Sequence, residues 1–290
     1  IISCAFIDDE KLATCSIDRS IKIWDLKEKK LLFTLIPAEG KLGTPYIFCG
    51  IVSDGKKVVA VCLNGAIYAW NVETFADNKL PDCILFGHQY PVSCLDMAIN
   101  AKEIITGDTN NMVLIWGENG IARVLYEGGN EKKGISHIAL SCDESLIYIT
   151  EVQGSLLCFD RASGEKKFEI DDIKGNFKGL VPSRKNNEEV YALQTKIMFK
   201  IKEGKVENKV TLSFETKCLE VNEELGEVLV GDKKGKLHVL DMDFKEKGKN
   251  DIHFGEYQVI KLSPDGKLIA SGDNQRQILV YEAESKKVIC

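Results

Sequence analysis

The stretch Lys11-Leu-Ala-Thr-Cys-Ser-Ile-Asp18-Arg19-Ser-Ile-Lys-Ile-Trp24-Asp25 decides the fold. Two short apolar runs flank a polar turn, and the second run alternates, Ile-Lys-Ile-Trp, as a half-buried strand does. Upstream, Ser3-Cys-Ala-Phe-Ile and the turn at Asp8-Asp9 supply another strand, so the unit reads strand, turn, strand, tight turn, strand. The same unit returns at the other end of the chain. There Val259-Ile-Lys-Leu-Ser-Pro-Asp-Gly266 leads into Lys267-Leu-Ile-Ala-Ser-Gly-Asp273 and then Gln277-Ile-Leu-Val-Tyr281.

The last large residue of the third strand sets a register. It falls at Trp24, Trp70, Trp116, Phe159, Ile201, Leu240 and Tyr281, at intervals of 39 to 46 residues. β-Branched and aromatic residues fill these strands, and Asp-Gly, Asn-Gly, Lys-Gly and Ser-Pro-Asp-Gly fill the turns. No window of a dozen residues carries a helical stripe. An all-β chain with a period of roughly 40 to 45 residues is a β-propeller of four-stranded blades. Seven copies predict seven blades, over 1–36, 45–86, 91–127, 134–170, 175–213, 216–247 and 257–290. The fourth strand is the least regular, because it is outermost and must blunt an open edge. The charged run 245–251 reads as a solvated, mobile loop between blades.

Composition narrows the function. Across 290 residues the net charge is −6, which speaks against a dedicated nucleic-acid binder. No stretch reaches the ~18 consecutive apolar residues of a membrane helix. Most of the ten cysteines sit in apolar runs, with no CxxC and no His/Cys cluster at metal-ligand spacing, so they read as small hydrophobes in a reducing compartment. No metal and no cofactor are expected. The four histidines, His88, His137, His238 and His253, lie in no nucleophile motif, and no phosphate-binding loop is present. An enzyme working in the central channel would need ionisable residues converging there, and the sequence shows no such cluster.

The blades resemble the WD-repeat family. Trp24-Asp25 is its name-giving dipeptide and Gly87-His88 its blade opening. The resemblance implies a buried hydrogen-bond network of His, Asp, Ser/Thr and Trp, giving structural roles to Asp18, Trp24, Trp70, His88 and Trp116. Asp18 occupies the Asp position of the first copy. The equivalent positions hold Asn64, Asn110, Gln153, Lys234 and Gln275, so the network is expected to be incomplete in most blades. The order of blades is similar to a branch of the family that has two consecutive propellers and acts on actin. That likeness implies binding to actin filaments carrying a cofilin-type protein, a cytoplasmic, cytoskeletal setting and no catalysis. It also offers another division, with 1–86 ending a first propeller and 87–290 starting a second. A scaffold for some other complex is the rival reading. Interaction residues are expected on one loop rim, at Arg19, Tyr46, Tyr90, Asn111, Lys174, Phe177, Lys234 and Arg276, since Tyr and Arg are favoured anchors.

Overall fold

The computed structural model describes residues 1–16, 18, 20–35, 48–75, 79–100, 102–128 and 134–290. Seven antiparallel sheets form a ring, each running outward from its first strand. Blade 1 holds β1 (Ser3–Phe6), β2 (Lys11–Cys15), β3 (Ile21–Asp25) and β4 (Lys30–Leu35). Blade 2 holds β5 (Phe48–Ser53), β6 (Lys57–Cys62), β7 (Ile67–Asn71) and β8 (Cys83–Leu85), and blade 3 holds β9 (Val92–Ala98), β10 (Glu103–Asp108), β11 (Met112–Trp116) and β12 (Ala122–Glu127). Blade 4 contains β13 (Ile135–Leu140), β14 (Leu146–Glu151), β15 (Gly154–Asp160) and β16 (Lys166–Gly175). Blade 5 contains β17 (Phe177–Pro182), β18 (Glu189–Gln194), β19 (Ile197–Lys202) and β20 (Lys205–Thr211). Blade 6 contains β21 (Thr216–Asn222), β22 (Glu227–Asp232), β23 (Lys236–Leu240) and β24 (Glu246–Asp251). Blade 7 contains β25 (Tyr257–Leu262), β26 (Leu268–Asp273) and β27 (Ile278–Glu282), with a bridge from Tyr281 to Val288 in the fourth position. A single turn of 3₁₀ helix, Val72–Thr74, is the one helical element among the described residues.

The run 245–251 is therefore not a free loop. Residues 246–251 are β24, paired to β23 from Lys236↔Asp251 to Leu240↔Glu246. Outermost strands need only backbone pairing, so a mostly exposed Glu-Lys-Gly-Lys-Asn-Asp run serves.

Each blade buries both faces against its neighbours, which is why the cores lie between blades. Tyr148, Tyr191, Tyr257 and Tyr281 are fully buried there, as is Trp70. The ring closes by packing between blades 7 and 1, whose innermost strands are neighbours. Cys4, Phe6, Leu12 and Leu26 of blade 1 share a core with Val259, Ala270 and Val280 of blade 7. Asp9 Oδ1 accepts from Asp265 N at 3.3 Å across the same junction. The cysteine reading also has a physical consequence: burial pushes the Cys4 thiol up to about 12, which keeps it unreactive.

Candidate partner-binding surface

The upper rim of the ring is built from the turns between second and third strands and the loops joining one blade to the next. Its scaffold is clearest in blade 3. Trp116 Nε1 donates to Thr106 Oγ1 at 2.8 Å, and Thr106 Oγ1 lies 2.7 Å from His88 Nε2. His88 Nδ1 lies 3.0 Å from Asp108 Oδ2. All groups are satisfied when Thr106 donates to Nε2 and Nδ1 donates to the carboxylate. Asp108 Oδ1 then accepts from Asn110 N at 2.8 Å and Met112 N at 3.0 Å, which closes the turn. Burial raises the Asp108 carboxyl, but the bonds from His88 and the two amides outweigh it and hold it below the usual carboxylate range.

The acid of this network stands two residues earlier than the sequence reading placed it, at Asp108 and not at position 110. Asp232 and Asp273 occupy the same place. Asp232 Oδ1 accepts from Lys234 N and Lys236 N at 2.7 and 2.8 Å, and Asp273 Oδ1 from Gln275 N and Gln277 N at 2.9 and 2.8 Å. Blade 7 also supplies its own histidine, His253, whose Nε2 lies 2.7 Å from Ser271 Oγ. In blade 6 the imidazole comes from the third strand: His238 Nε2 is 3.1 Å from Asp232 Oδ2, and Phe214 stacks on the ring at 3.5 Å. A sequence signal for this existed, since Gly107-Asp108, Gly231-Asp232 and Gly272-Asp273 each lie eight residues before the large register residue. The glycine lets the next blade approach: a Cβ at Gly107 would meet Ile135 at 2.8 Å, and one at Gly231 would meet Tyr257 at 2.5 Å. Asp18 does a smaller job, accepting from Ser20 N at 3.1 Å in an exposed turn. Trp24 Nε1 donates to Thr14 Oγ1 at 2.9 Å, whereas Trp70 Nε1 turns to the Lys79 carbonyl at 3.2 Å because Ala60 stands where a Thr would be.

Of the expected rim residues, two are interior. Phe177 is 4% exposed, inside the core between blades 4 and 5. Asn111 is 1% exposed with φ 62°, and its Nδ2 donates to Glu151 Oε1 at 3.0 Å. Both were misplaced for one reason: a position beside a turn faces outward only if no neighbouring blade covers it. Tyr90, Lys174, Lys234 and Arg276 are exposed, and Lys174 Nζ lies 3.4 Å from Asp171. Lys234 and Arg276 fall on adjacent blades, whereas Tyr90 is on the loop between blades 2 and 3. Arg19 and Tyr46 lie outside the described residues.

The axis corrects a second expectation. Innermost strands β9, β13, β17, β21 and β25 gather charge around Lys261, which acts on Asp96 and, with Lys178, on His137, and whose Nζ lies 3.9 Å from Glu220 Oε2. These residues come from five blades, so no local motif announces them. His137 Nδ1 lies 3.5 Å from Thr150 Oγ1, while Lys178 and Lys261 face it with like charge. Burial first, then these two lysines, lower its pKa to about 4. The folded pKa lies below the unfolded value, so the stability linked to neutral His137 is complete above about pH 6.5 and is lost as pH falls toward 4. The melting temperature is expected to drop across that window, and His137→Gln should remove part of the drop. An unchanged slope in the variant would show that other groups carry it.

The profile of the "WD domain, G-beta repeat" family matches residues 1–25 and 81–117. Those segments are the first three strands of blade 1, and the last strand of blade 2 followed by the first three strands of blade 3, the blade with the complete network. Fold and rim scaffold together define a seven-bladed β-propeller that carries WD repeats in these two segments. Within that class the chain resembles actin-interacting protein 1. It is 25% identical to "Actin-interacting protein 1" of Drosophila melanogaster over 288 residues, 97% of this chain and 45% of the relative. It is 24% identical to "Actin-interacting protein 1-2" of Arabidopsis thaliana over 277 residues, 92% of this chain and 44% of the relative. A shorter match, 30% over 127 residues, covers 44% of this chain and 7% of the human "Kinesin-like protein KIF21A". The chain thus spans less than half the length of each of these relatives. No helix among the described residues is long and apolar enough to cross a membrane.

Proposed function

We propose that this chain is a non-catalytic, protein-binding propeller that acts on actin filaments together with a cofilin-type protein and promotes filament disassembly. The similarity to actin-interacting proteins over nearly the whole chain carries this reading. Binding energy across the rim does the work, with no covalent step, in the cytoplasm and at the cytoskeleton. Partner contacts are assigned to exposed rim positions, among them Tyr90, Lys234 and Arg276. The chain works as one seven-bladed unit, and its net negative charge favours protein over nucleic acid as partner. The shorter match to a kinesin-like protein keeps a second reading open, a WD-repeat scaffold for another complex.

Co-sedimentation with actin filaments, with and without a cofilin-type protein, tests the proposal. Pelleting that depends on that protein, with more actin left in the supernatant, is the expected result. A folded chain that stays in the supernatant in both arms would move the assignment to the scaffold reading.

A further inference from the structure

We infer that the upper rim at blades 6 and 7, centred on Phe254, is a docking surface for a protein face that presents carboxylates around an apolar recess; resting on the proposed function, this is the surface turned to the actin filament. Phe254 is 92% exposed, the largest exposure among the large apolar residues described. It sits on the loop joining β24 to β25, where a bulky aromatic has no folding role.

The loop holds Phe254 rigidly. Ile252 N and His253 N both donate to the Gly235 carbonyl, at 3.3 and 3.0 Å. The His253 side chain is buried, with Nε2 on Ser271 Oγ at 2.7 Å and its ring edge-on to Tyr257 at 4.7 Å. Beyond Phe254, Gly255 N donates to Asp273 Oδ2 at 3.3 Å and Glu256 N to Asn274 Oδ1 at 3.1 Å. With both neighbours locked into the blade, binding would order little that is not already ordered, which favours affinity.

The surrounding charge opposes that of the chain. Lys233 is 3.4 Å from Glu215, and Lys217 is 2.7 Å from Glu256, so the local carboxylates are taken. Lys234 follows directly and precedes Gly235, the residue that grips the loop; Arg276 follows Gln275, whose side chain touches Gly255. Both are exposed, and neither has a carboxylate partner among the described residues. Their turns are fixed by Asp232 and Asp273, so both cations stand on the turns that hold the 252–256 loop, Arg276 also lining the cavity between blades 7 and 1. On a chain of net charge −6 this is a cationic island around an aromatic anchor.

The test is co-sedimentation with cofilin-decorated actin filaments for the wild-type chain, Phe254→Ala, the pair Lys234→Glu/Arg276→Glu, and, as control, Lys185→Glu at the exposed turn between β17 and β18, on the opposite rim. Phe254→Ala is expected to weaken binding about tenfold or more, as loss of an interface anchor does. The charge reversal should weaken it comparably and flatten its salt dependence, with Lys185→Glu unchanged. Melting temperatures of all variants should match the wild type. Wild-type binding that Phe254→Ala leaves intact overturns the inference while the proposed function stands, as does loss by charge reversal alone, which would mean unspecific attraction to a polyanion. A wild-type chain that does not pellet removes the proposed function and this surface with it.

Discussion

Replacing Asp108 with alanine is expected to lower the stability of the propeller by about 3 kcal/mol. The carboxylate closes two circuits at once. It accepts from His88 Nδ1 at 3.0 Å and, through its other oxygen, from Asn110 N and Met112 N. Deleting it leaves an imidazole N–H and two turn amides without their acceptor in a site that is almost fully buried. Each such orphan costs about 1 to 3 kcal/mol, less whatever water can enter. Asp108→Asn keeps one acceptor oxygen and should fall between the two. Thr106→Val, which cuts the link from Trp116 to His88, provides a second reading of the same chain. The denaturant midpoint of each variant measures the effect. A shift of only a few tenths of a kcal/mol for Asp108→Ala would show that the network is ornamental to stability and that packing around Trp116 suffices.

The second large effect is expected at Gly235. Its φ is 81°, a region that favours glycine, and an added Cβ would overlap the His253 carbonyl oxygen and meet that of Gly255 at 2.8 Å. The obstacles are backbone, not a side-chain tip, so they yield only if the whole 252–256 loop moves. Moving it breaks the bonds from Ile252 N and His253 N to the Gly235 carbonyl and pulls His253 from Ser271. Gly235→Ala should therefore lose about 3 kcal/mol, near 5–10 °C in melting temperature, where the left-handed backbone alone would cost about 1. Gly248 is the matched control: nothing lies within 4 Å of its added Cβ, and Gly248→Ala should change stability by less than about 0.5 kcal/mol. A Gly235 variant as stable as the control would mean that the loop yields easily, against the rigid presentation of Phe254. Limited proteolysis within 252–256 gives an independent readout of the same loosening.

Much of this molecule is written in local patterns. The recurring large residue from Trp24 to Tyr281 counts the blades, because every third strand must plug the same place between neighbouring sheets. Alternation within Ile-Lys-Ile-Trp and the Asp-Gly and Asn-Gly turns place the strands, since pleating and turn geometry depend on nearest neighbours. Gly87-His88 reads as a blade opening, and at that place His88 lies buried between Thr106 and Asp108.

The charged β24 is the instructive failure. Its sequence carries no strand signal because an outermost strand is held by backbone pairing alone, and any exposed side chains are compatible with that. Phe177 and Asn111 fail for the opposite reason. Both blade faces are covered by neighbouring blades, so a polar or aromatic residue beside a turn carries no local mark of being inside or out.

What the sequence determined by itself was the blade count, the strand order and the absence of helical layers, all consequences of short-range periodicity. Tertiary structure alone decided which histidine reaches Asp108, how blades 7 and 1 close the ring, which charges meet between the innermost strands, and that the loop of Phe254 rests on the turns of Lys234 and Arg276. Those features join residues about 20 positions apart or on different blades. Their geometry is set by ring packing, which no single segment of the chain contains.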